Sequence, residues 1–356
     1  MKVLTKKPIA PPARPQWAEP GTGRVTIHDV ARVCGVSKAT VSKALSPSPA
    51  SRLSQHTRQR VIDAASKLGY RASSFARGLS QQKTHSIGLV FSRATPMLFG
   101  AYEHLASAIA QTLRAYEYHL LFIPVYGKAE EVREVLAEQR VDACLVMQPA
   151  TTSLLANLAA FNLPTVLINE QADVDLPQIL MDDVGGMDQL MTHLFELGHR
   201  AITFFHGDHV GQHYSYSLRE RAFLDAMRLA GHSGGADVFV GAADQLVADI
   251  RAGRRASTAV VSFNSQVGFD VLCAAWRHGV RMPADLSLAS FDDSDPFRRA
   301  VPAPTVVDVP MQEAGRRAVE VLIAHAERGE ALHAGRIVLP ERLIVRESTG
   351  PAPRRD

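Results

Sequence analysis

The sequence predicts an all-α headpiece followed by a two-lobed α/β domain with parallel sheets, and three observations predict it. Two short capped helices separated by a glycine occupy residues 25–45. From Ser86 onward, short apolar strands alternate with amphipathic helices. Charge divides the same way: residues 1–85 carry fifteen Lys and Arg against three acids (Glu19, Asp29 and Asp63), a balance of +12 that leaves −9 for the rest of a 356-residue chain whose total is +3.

In the headpiece, Thr26 is placed to cap a first helix, with Asp29 three residues on at the positive end of the helix dipole. Ile27, Val30, Ala31 and Cys34 form its apolar stripe. Gly35 supplies the positive φ of a tight turn, and Ser37 caps a second helix that carries Val41 and Leu45 inward. Lys38, Ala39, Ser42 and Lys43 face outward. This pattern is a helix-turn-helix, in which the exposed start of the second helix enters the major groove. Lys can donate there to guanine and an Ala methyl can touch thymine, while Thr40 and Ser42 suit phosphate oxygens. A third helix, capped near Ser54, runs through Thr57, Val61, Ile62, Ala65 and Leu68 to Gly69 and completes a small core.

After Gly69-Tyr70 comes Arg71-Ala72-Ser73-Ser74-Phe75-Ala76-Arg77-Gly78-Leu79. With Thr40-Val41-Ser42 before it, this stretch resembles the lactose-repressor/galactose-repressor family of bacterial transcriptional regulators. The resemblance implies a hinge helix over Ala76 to Leu79, with Ser73 as its cap and Leu79 as a wedge in the minor groove, where an apolar side chain kinks DNA. It also implies that Thr26, Ser37, Lys38, Ala39, Thr40, Ser42 and Lys43 belong to the DNA-binding surface. Three departures stand out. Ala72-Ser73 replaces the usual Pro-Asn, and Lys43 replaces an arginine and lacks its planar fork. The connection from Ser46 to Ser54 is about two residues longer than in the lactose repressor.

Residues 1–24 are rich in Lys, Arg and Pro and read as a disordered basic arm. The expected organisation is therefore an arm over 1–24, a helix-turn-helix domain over 25–71, a hinge and linker over 72–84, an effector-binding and dimerisation domain over 85–349, and a tail over 350–356. No long apolar run follows the early lysines, which argues against a secretory signal or membrane span. Cys34, Cys144 and Cys273 lack metal-ligand spacing and read as reduced thiols of a cytoplasmic, nucleoid-associated protein.

Strands are predicted at Ile87–Phe91, His119–Ile123, Ala143–Met147, Thr165–Ile168, Ala201–Phe205, Asp237–Gly241, Ala259–Phe263 and Leu286–Phe291. Helices such as Tyr102–Tyr116, Glu130–Gln139 and Met187–Leu197 fall between them, an alternation that gives parallel sheets with ligands at the carboxyl ends of the strands. The family resemblance continues here through Glu196-Leu197-Gly198-His199-Arg200, Arg219-Glu220-Arg221-Ala222-Phe223, Ser290-Phe291-Asp292-Asp293 and the ending Leu339 to Thr349. It implies a periplasmic-binding-protein-like domain whose effector contacts include Arg219 and Asp292, with Asn169, Asn264, Ser92 and Arg93. Ser265 follows Asn264 where the family often has aspartate. Together with Arg93, that absence leans toward an anionic effector such as a sugar acid or phosphorylated sugar.

His206, Asp208, His209 and His213 lie close in sequence, but no helical metal-binding pair accompanies them, and effector or solvent contact is the expected role. No serine elbow, phosphate loop or catalytic acid pair stands out, so neither an enzyme nor a cofactor is expected. The expected partners are a palindromic double-stranded operator, a second copy of the chain and a small-molecule effector such as a sugar or sugar acid. A ligand sensor without DNA binding, and an architectural DNA binder without an effector, are the competing readings. The reading head counts against the first, and Arg219 with Asp292 against the second.

Overall fold

The computed structural model describes residues 25–45, 53–70, 83–92, 101–125, 129–138, 140–147, 152–208 and 213–354. The chain divides into two compact units, Met1–Gln82 and Lys83–Asp356.

The first unit contains α1 (Ile27–Cys34), α2 (Lys38–Leu45) and α3 (Gln55–Lys67). Its core is small: Val30, Ala31, Cys34, Val41, Ala44, Val61 and Ala65 are buried, with Ile27, Leu45, Leu53, Leu68 and Tyr70 packed around them. Gly35 takes φ 61° between α1 and α2, the left-handed turn its position requires. Arg60 of α3 donates to the Cys34 carbonyl at 3.0 Å and so closes the open end of α1.

The second unit begins with β1 (Ser86–Ser92), α4 (Ala101–Ala115), β2 (His119–Val125), α5 (Ala129–Ala137), β3 (Ala143–Met147), α6 (Thr152–Ala160), β4 (Thr165–Ile168) and β5 (Pro177–Met181). It continues with α7 (Asp183–Glu196), β6 (Ile202–Gly207), α8 (Tyr214–Leu229), β7 (Ala236–Val240), α9 (Ala243–Arg251), β8 (Ala259–Ser262), α10 (Ser265–His278), β9 (Ser287–Phe291), α11 (Asp295–Arg298) and β10 (Thr305–Asp308). Last come α12 (Met311–Arg328), β11 (Gly335–Leu339) and β12 (Arg342–Ile344).

Two six-stranded sheets result, one in the order β11-β5-β4-β3-β1-β2 and the other β12-β10-β9-β8-β6-β7. All pairings are parallel except β10 with β12. Both faces of each sheet are covered, which explains the continuous apolar strands. Val90, Val146, Val132 and Leu158 pack on one face of the first sheet, and Phe205, Leu246, Val260 and Val271 on one face of the second. On the opposite faces a single core joins Ile109, Leu145 and Leu322 to Leu190, Phe204 and Phe223.

The chain passes between the sheets three times: from β5 to α7, from β10 to α12, and from β11 to β12. The middle pass sends α12 back onto α4, where Gly315 lies so close that a Cβ would stand 2.9 Å from the Leu105 carbonyl oxygen. The segment after β12 is fastened to the second sheet, with Ser348 Oγ donating to the Leu288 carbonyl at 2.5 Å and the Gly350 amide donating to Ser287 Oγ at 3.1 Å.

The predicted helix at Met187 begins four residues earlier than expected, at Asp183, and runs through Gly185 and Gly186. Glycine is a poor helix former. The packing explains it, since a Cβ on Gly186 would stand 2.1 Å from Glu341 Oε2.

Candidate functional site

In the first unit, the sequence-predicted caps are made. Thr26 donates from its amide and its hydroxyl to Asp29 Oδ2 at 3.0 and 2.7 Å. These bonds hold the Asp29 carboxyl below its ordinary range. Ser37 Oγ accepts from the Thr40 amide at 3.1 Å and pairs with the Thr40 hydroxyl at 2.9 Å. Thr40 is therefore half-buried and partly used within α2, whereas Lys38, Ala39, Ser42 and Lys43 stand exposed on it. Ser54 Oγ accepts from the Thr57 amide at 3.2 Å and starts α3. Ser73, Ala76 and Leu79, expected in the hinge, lie outside the described residues.

The second unit gathers most of the expected effector residues at the carboxyl ends of strands. Asn169 follows β4 and Asn264 follows β8, while Asp292 follows β9 and Arg219 reaches in from α8. Asn169 and Asp292 are both left-handed, at φ 50° and 69°. Strain at functional positions is a recurring pattern. Asn169 belongs to the first sheet's lobe, but its partners come from the start of α8 in the other. The His213 ring donates through Nε2 to the Asn169 carbonyl at 2.5 Å, and Tyr214 donates its hydroxyl to Asn169 Oδ1 at 3.1 Å. His213 Nδ1 accepts from the Ser215 amide at 3.3 Å. Burial lowers the pKa of His213, in keeping with a neutral ring that donates at one nitrogen and accepts at the other.

Arg219 is buried. Its Nε donates to Asp183 Oδ1 at 2.5 Å and its Nη1 to the Phe263 carbonyl at 2.7 Å, while Nη2 lies 3.9 Å from Glu341 Oε1. The guanidinium also sits 4.0 Å above the Phe291 ring. Burial pulls the pKa of Arg219 down, but Asp183, Glu341 and Asp292 together hold it above its usual value. Asp183 lies on the first crossover and Glu341 on the third. One side chain thus ties both crossovers to the ends of β8 and β9.

Burial pushes the Asp292 carboxyl up to about 6, with Arg219 opposing and Asp183 and Asp308 adding to it. Burial likewise raises Glu341 well above the carboxylate range. The Tyr216 and Phe263 rings stack at 3.7 Å, and His206 stacks on Tyr216 at 5.8 Å. Tyr102 of α4, in the opposite lobe, is also affected electrostatically by Asp292.

Asn264 Oδ1 caps α10 by accepting from the Val267 amide at 3.0 Å, so its role is structural at least in part. Ser92 ends β1, but its side chain and all of Arg93 lie outside the described residues. His206 Nε2 pairs with Glu220 Oε2 at 2.6 Å and His213 with Asn169, so these histidines do not converge. Among the described residues no group of three or more His, Cys, Asp or Glu is arranged to hold a metal ion. Cys34 and Cys144 are buried and Cys273 is half-buried, all three unpaired.

Sequence reasoning missed Asp183 and Glu341. Asp183 follows another acid at the end of an apolar strand, and Glu341 sits inside the ending Leu339 to Thr349. Neither position has a spacing that points to Arg219.

A three-helix reading head and a two-sheet domain with a buried polar cluster at its strand ends suit a ligand-responsive DNA-binding protein. Comparison with known proteins agrees. Residues 26–73 match the bacterial regulatory proteins of the lacI family, and residues 191–349 match a periplasmic binding protein-like domain. The chain is 29% identical over 342 residues to the HTH-type transcriptional regulator DegA of Bacillus subtilis (strain 168), covering 92% of this chain and 99% of that protein. It is also 29% identical over 317 residues to the regulator GalS of Salmonella typhimurium, covering 85% and 90% of the two chains. Among solved structures it resembles a lac repressor dimer bound to operator and the anti-inducer ONPF, with TM-score 0.78, 23% identity and 92% and 99% coverage. It also resembles a complex of the transcriptional regulator CelR with cellobiose, with TM-score 0.65, 26% identity and 91% and 100% coverage. The chain therefore carries a helix-turn-helix domain of the lacI family together with a periplasmic binding protein-like domain. It is a DNA-binding transcriptional regulator with an effector-binding domain.

Proposed function

We propose that this regulator is a cytoplasmic repressor that binds a palindromic operator as a homodimer, and that a small molecule held between the two lobes of the second unit sets its operator affinity. The observation that carries this reading is Arg219, which hydrogen-bonds Asp183 on the first crossover and lies against Glu341 on the third while holding the Phe263 carbonyl. A ligand that alters Arg219 or the Asn169 contacts changes the preferred arrangement of the lobes. If it favours one arrangement by about 3 kcal/mol, operator affinity changes by roughly 150-fold, and operator binding changes ligand affinity by the same factor.

Lys38 and Ala39 are assigned to base edges, with Thr26, Ser37, Thr40, Ser42 and Lys43 at or near phosphates. Ser73, Ala76 and Leu79 are assigned to a hinge that forms against bent DNA. For the effector, the assigned contacts are Asn169, Arg219, Asn264 and Asp292, with Ser92 and Arg93. A hydroxyl-rich ligand suits this set, and the neighbouring CelR structure is a cellobiose complex. For the dimer, α10 offers Phe269 and Trp276, seven residues apart, with Trp276 84% exposed.

The test is selection from a random duplex library by the purified chain, with and without pools of sugars, sugar acids and purines. The expected result is an enriched palindrome with a flexible central step whose retention changes with one metabolite. Enrichment of no sequence under any condition would remove the operator reading.

A further inference from the structure

At the root of the cleft, three carboxyl groups meet one guanidinium. Arg219 is already neutralised by Asp183 at 2.5 Å, and its Nη1 is committed to the Phe263 carbonyl. Glu341 is 4% exposed, and neither of its carboxylate oxygens has a hydrogen-bond partner; Asp183 Oδ2 is buried and unpartnered as well. The described residues make no hydrogen bond to the Asp292 carboxylate. That group is influenced by Arg219 and Tyr216 of α8, by Asp183 on the first crossover, by Asp308 of β10 and by Tyr102 across the cleft. Arg219 is the one cation that acts on both Asp292 and Glu341 among the described residues.

Buried negative charge without a counter-charge is costly. A proton could relieve it, and so could a cation arriving with a ligand. Two further buried atoms favour the ligand: Ser215 Oγ, one turn from Arg219 on α8, and His206 Nδ1, on the ring stacked against Tyr216, also lack partners. Protonating a carboxyl would leave both unsatisfied.

We propose that the effector is a hydroxyl-bearing amine of the amino-sugar type, whose ammonium stands against Asp292 and supplies the positive charge this cluster lacks. The proposal rests on the effector-cleft reading above. It runs against the anionic effector that Arg93 and Ser265 suggest from sequence, because the one cation acting on both Asp292 and Glu341 is already paired.

The test compares matched skeletons on the full-length chain by calorimetry: glucosamine, galactosamine and mannosamine, their neutral parent hexoses and their uronic acids, within a metabolite library sorted by charge. An amine is expected to bind at least tenfold more tightly than its neutral parent, and Asp292→Asn is expected to abolish that difference. Binding led by neutral or acidic members overturns the proposal and leaves the effector-cleft reading standing. Binding by no member of any class removes that reading, and the proposal falls with it.

Ligand-free melting gives a second arm. The folded-state pKa of Asp292 is raised, so stability is lost as pH rises from the ordinary aspartate range, where the unfolded carboxyl ionises, to about 6, and the full penalty is present above that. Asp292→Asn and Glu341→Gln should therefore raise the melting temperature at pH 8 and change it little at pH 4. Equal or lower melting temperatures at both pH values would mean that the cluster is already compensated, and would overturn the charge deficit.

Discussion

In the helical unit, most of the side chains we assign to DNA are exposed and take no part in the core, whereas in the two-lobed unit Arg219, Asp183 and Glu341 are buried and help hold the fold together. Lys38, Ala39, Ser42 and Lys43 stand on one short helix and can be read in order from the sequence. The charged cluster is assembled from α8, two crossovers and the ends of two strands, so its members are separated by up to 158 residues, from Asp183 to Glu341. The first arrangement lets recognition change without disturbing stability. Under the proposed function, the second makes stability and ligand response properties of the same atoms.

That contrast can be broken most forcefully at Arg219. Arg219→Met would leave Asp183 and Glu341 buried without a partner, and the two-lobed unit should lose about 3–5 kcal/mol in denaturant unfolding. Salt-dependent binding of random DNA at low temperature should persist. A loss under about 1 kcal/mol, the range of exposed pairs, would mean that Arg219 does not tie the crossovers.

A smaller effect is expected in the hinge. Leu79→Ala should weaken operator binding by about 1–3 kcal/mol in a titration at fixed salt and leave random-sequence binding and effector affinity unchanged. Equal loss on both DNAs would remove the wedge assignment. The smallest change concerns a cap. Ser54→Ala should cost the helical unit about 1 kcal/mol by circular dichroism, since the Thr57 amide loses its acceptor, and should leave ligand binding in the other unit untouched.

The same contrast explains what could be read from the sequence. The three helices of the headpiece and eight strands of the two sheets follow from local patterning. Of the four missed strands, β5, β10, β11 and β12, two lack that signal visibly: β5 opens on Pro177, and β10 has four residues between Pro304 and Pro310. The early start of α7 was hidden because Gly185 and Gly186 look like a loop until Glu341 is placed against them. Arg219, Asp292, Asn169 and Asn264 were proposed through family motifs. Asp183 and Glu341 were not, because buried ion pairing depends on where the crossovers run, and periodicity carries no record of that.

The three crossovers also bear on how the chain is made. The first sheet cannot complete its edge until β11 at 335–339 has been synthesised, although β1 to β5 are finished by residue 181. The core of the second sheet, β6 to β10, is complete by residue 308. On the ribosome, both sheets therefore wait for the end of the chain to complete an edge, and the earlier lobe waits longer, with its α4 face uncovered until α12 emerges. A chaperone that shields exposed apolar surface during synthesis would find its substrate in the amino-terminal lobe.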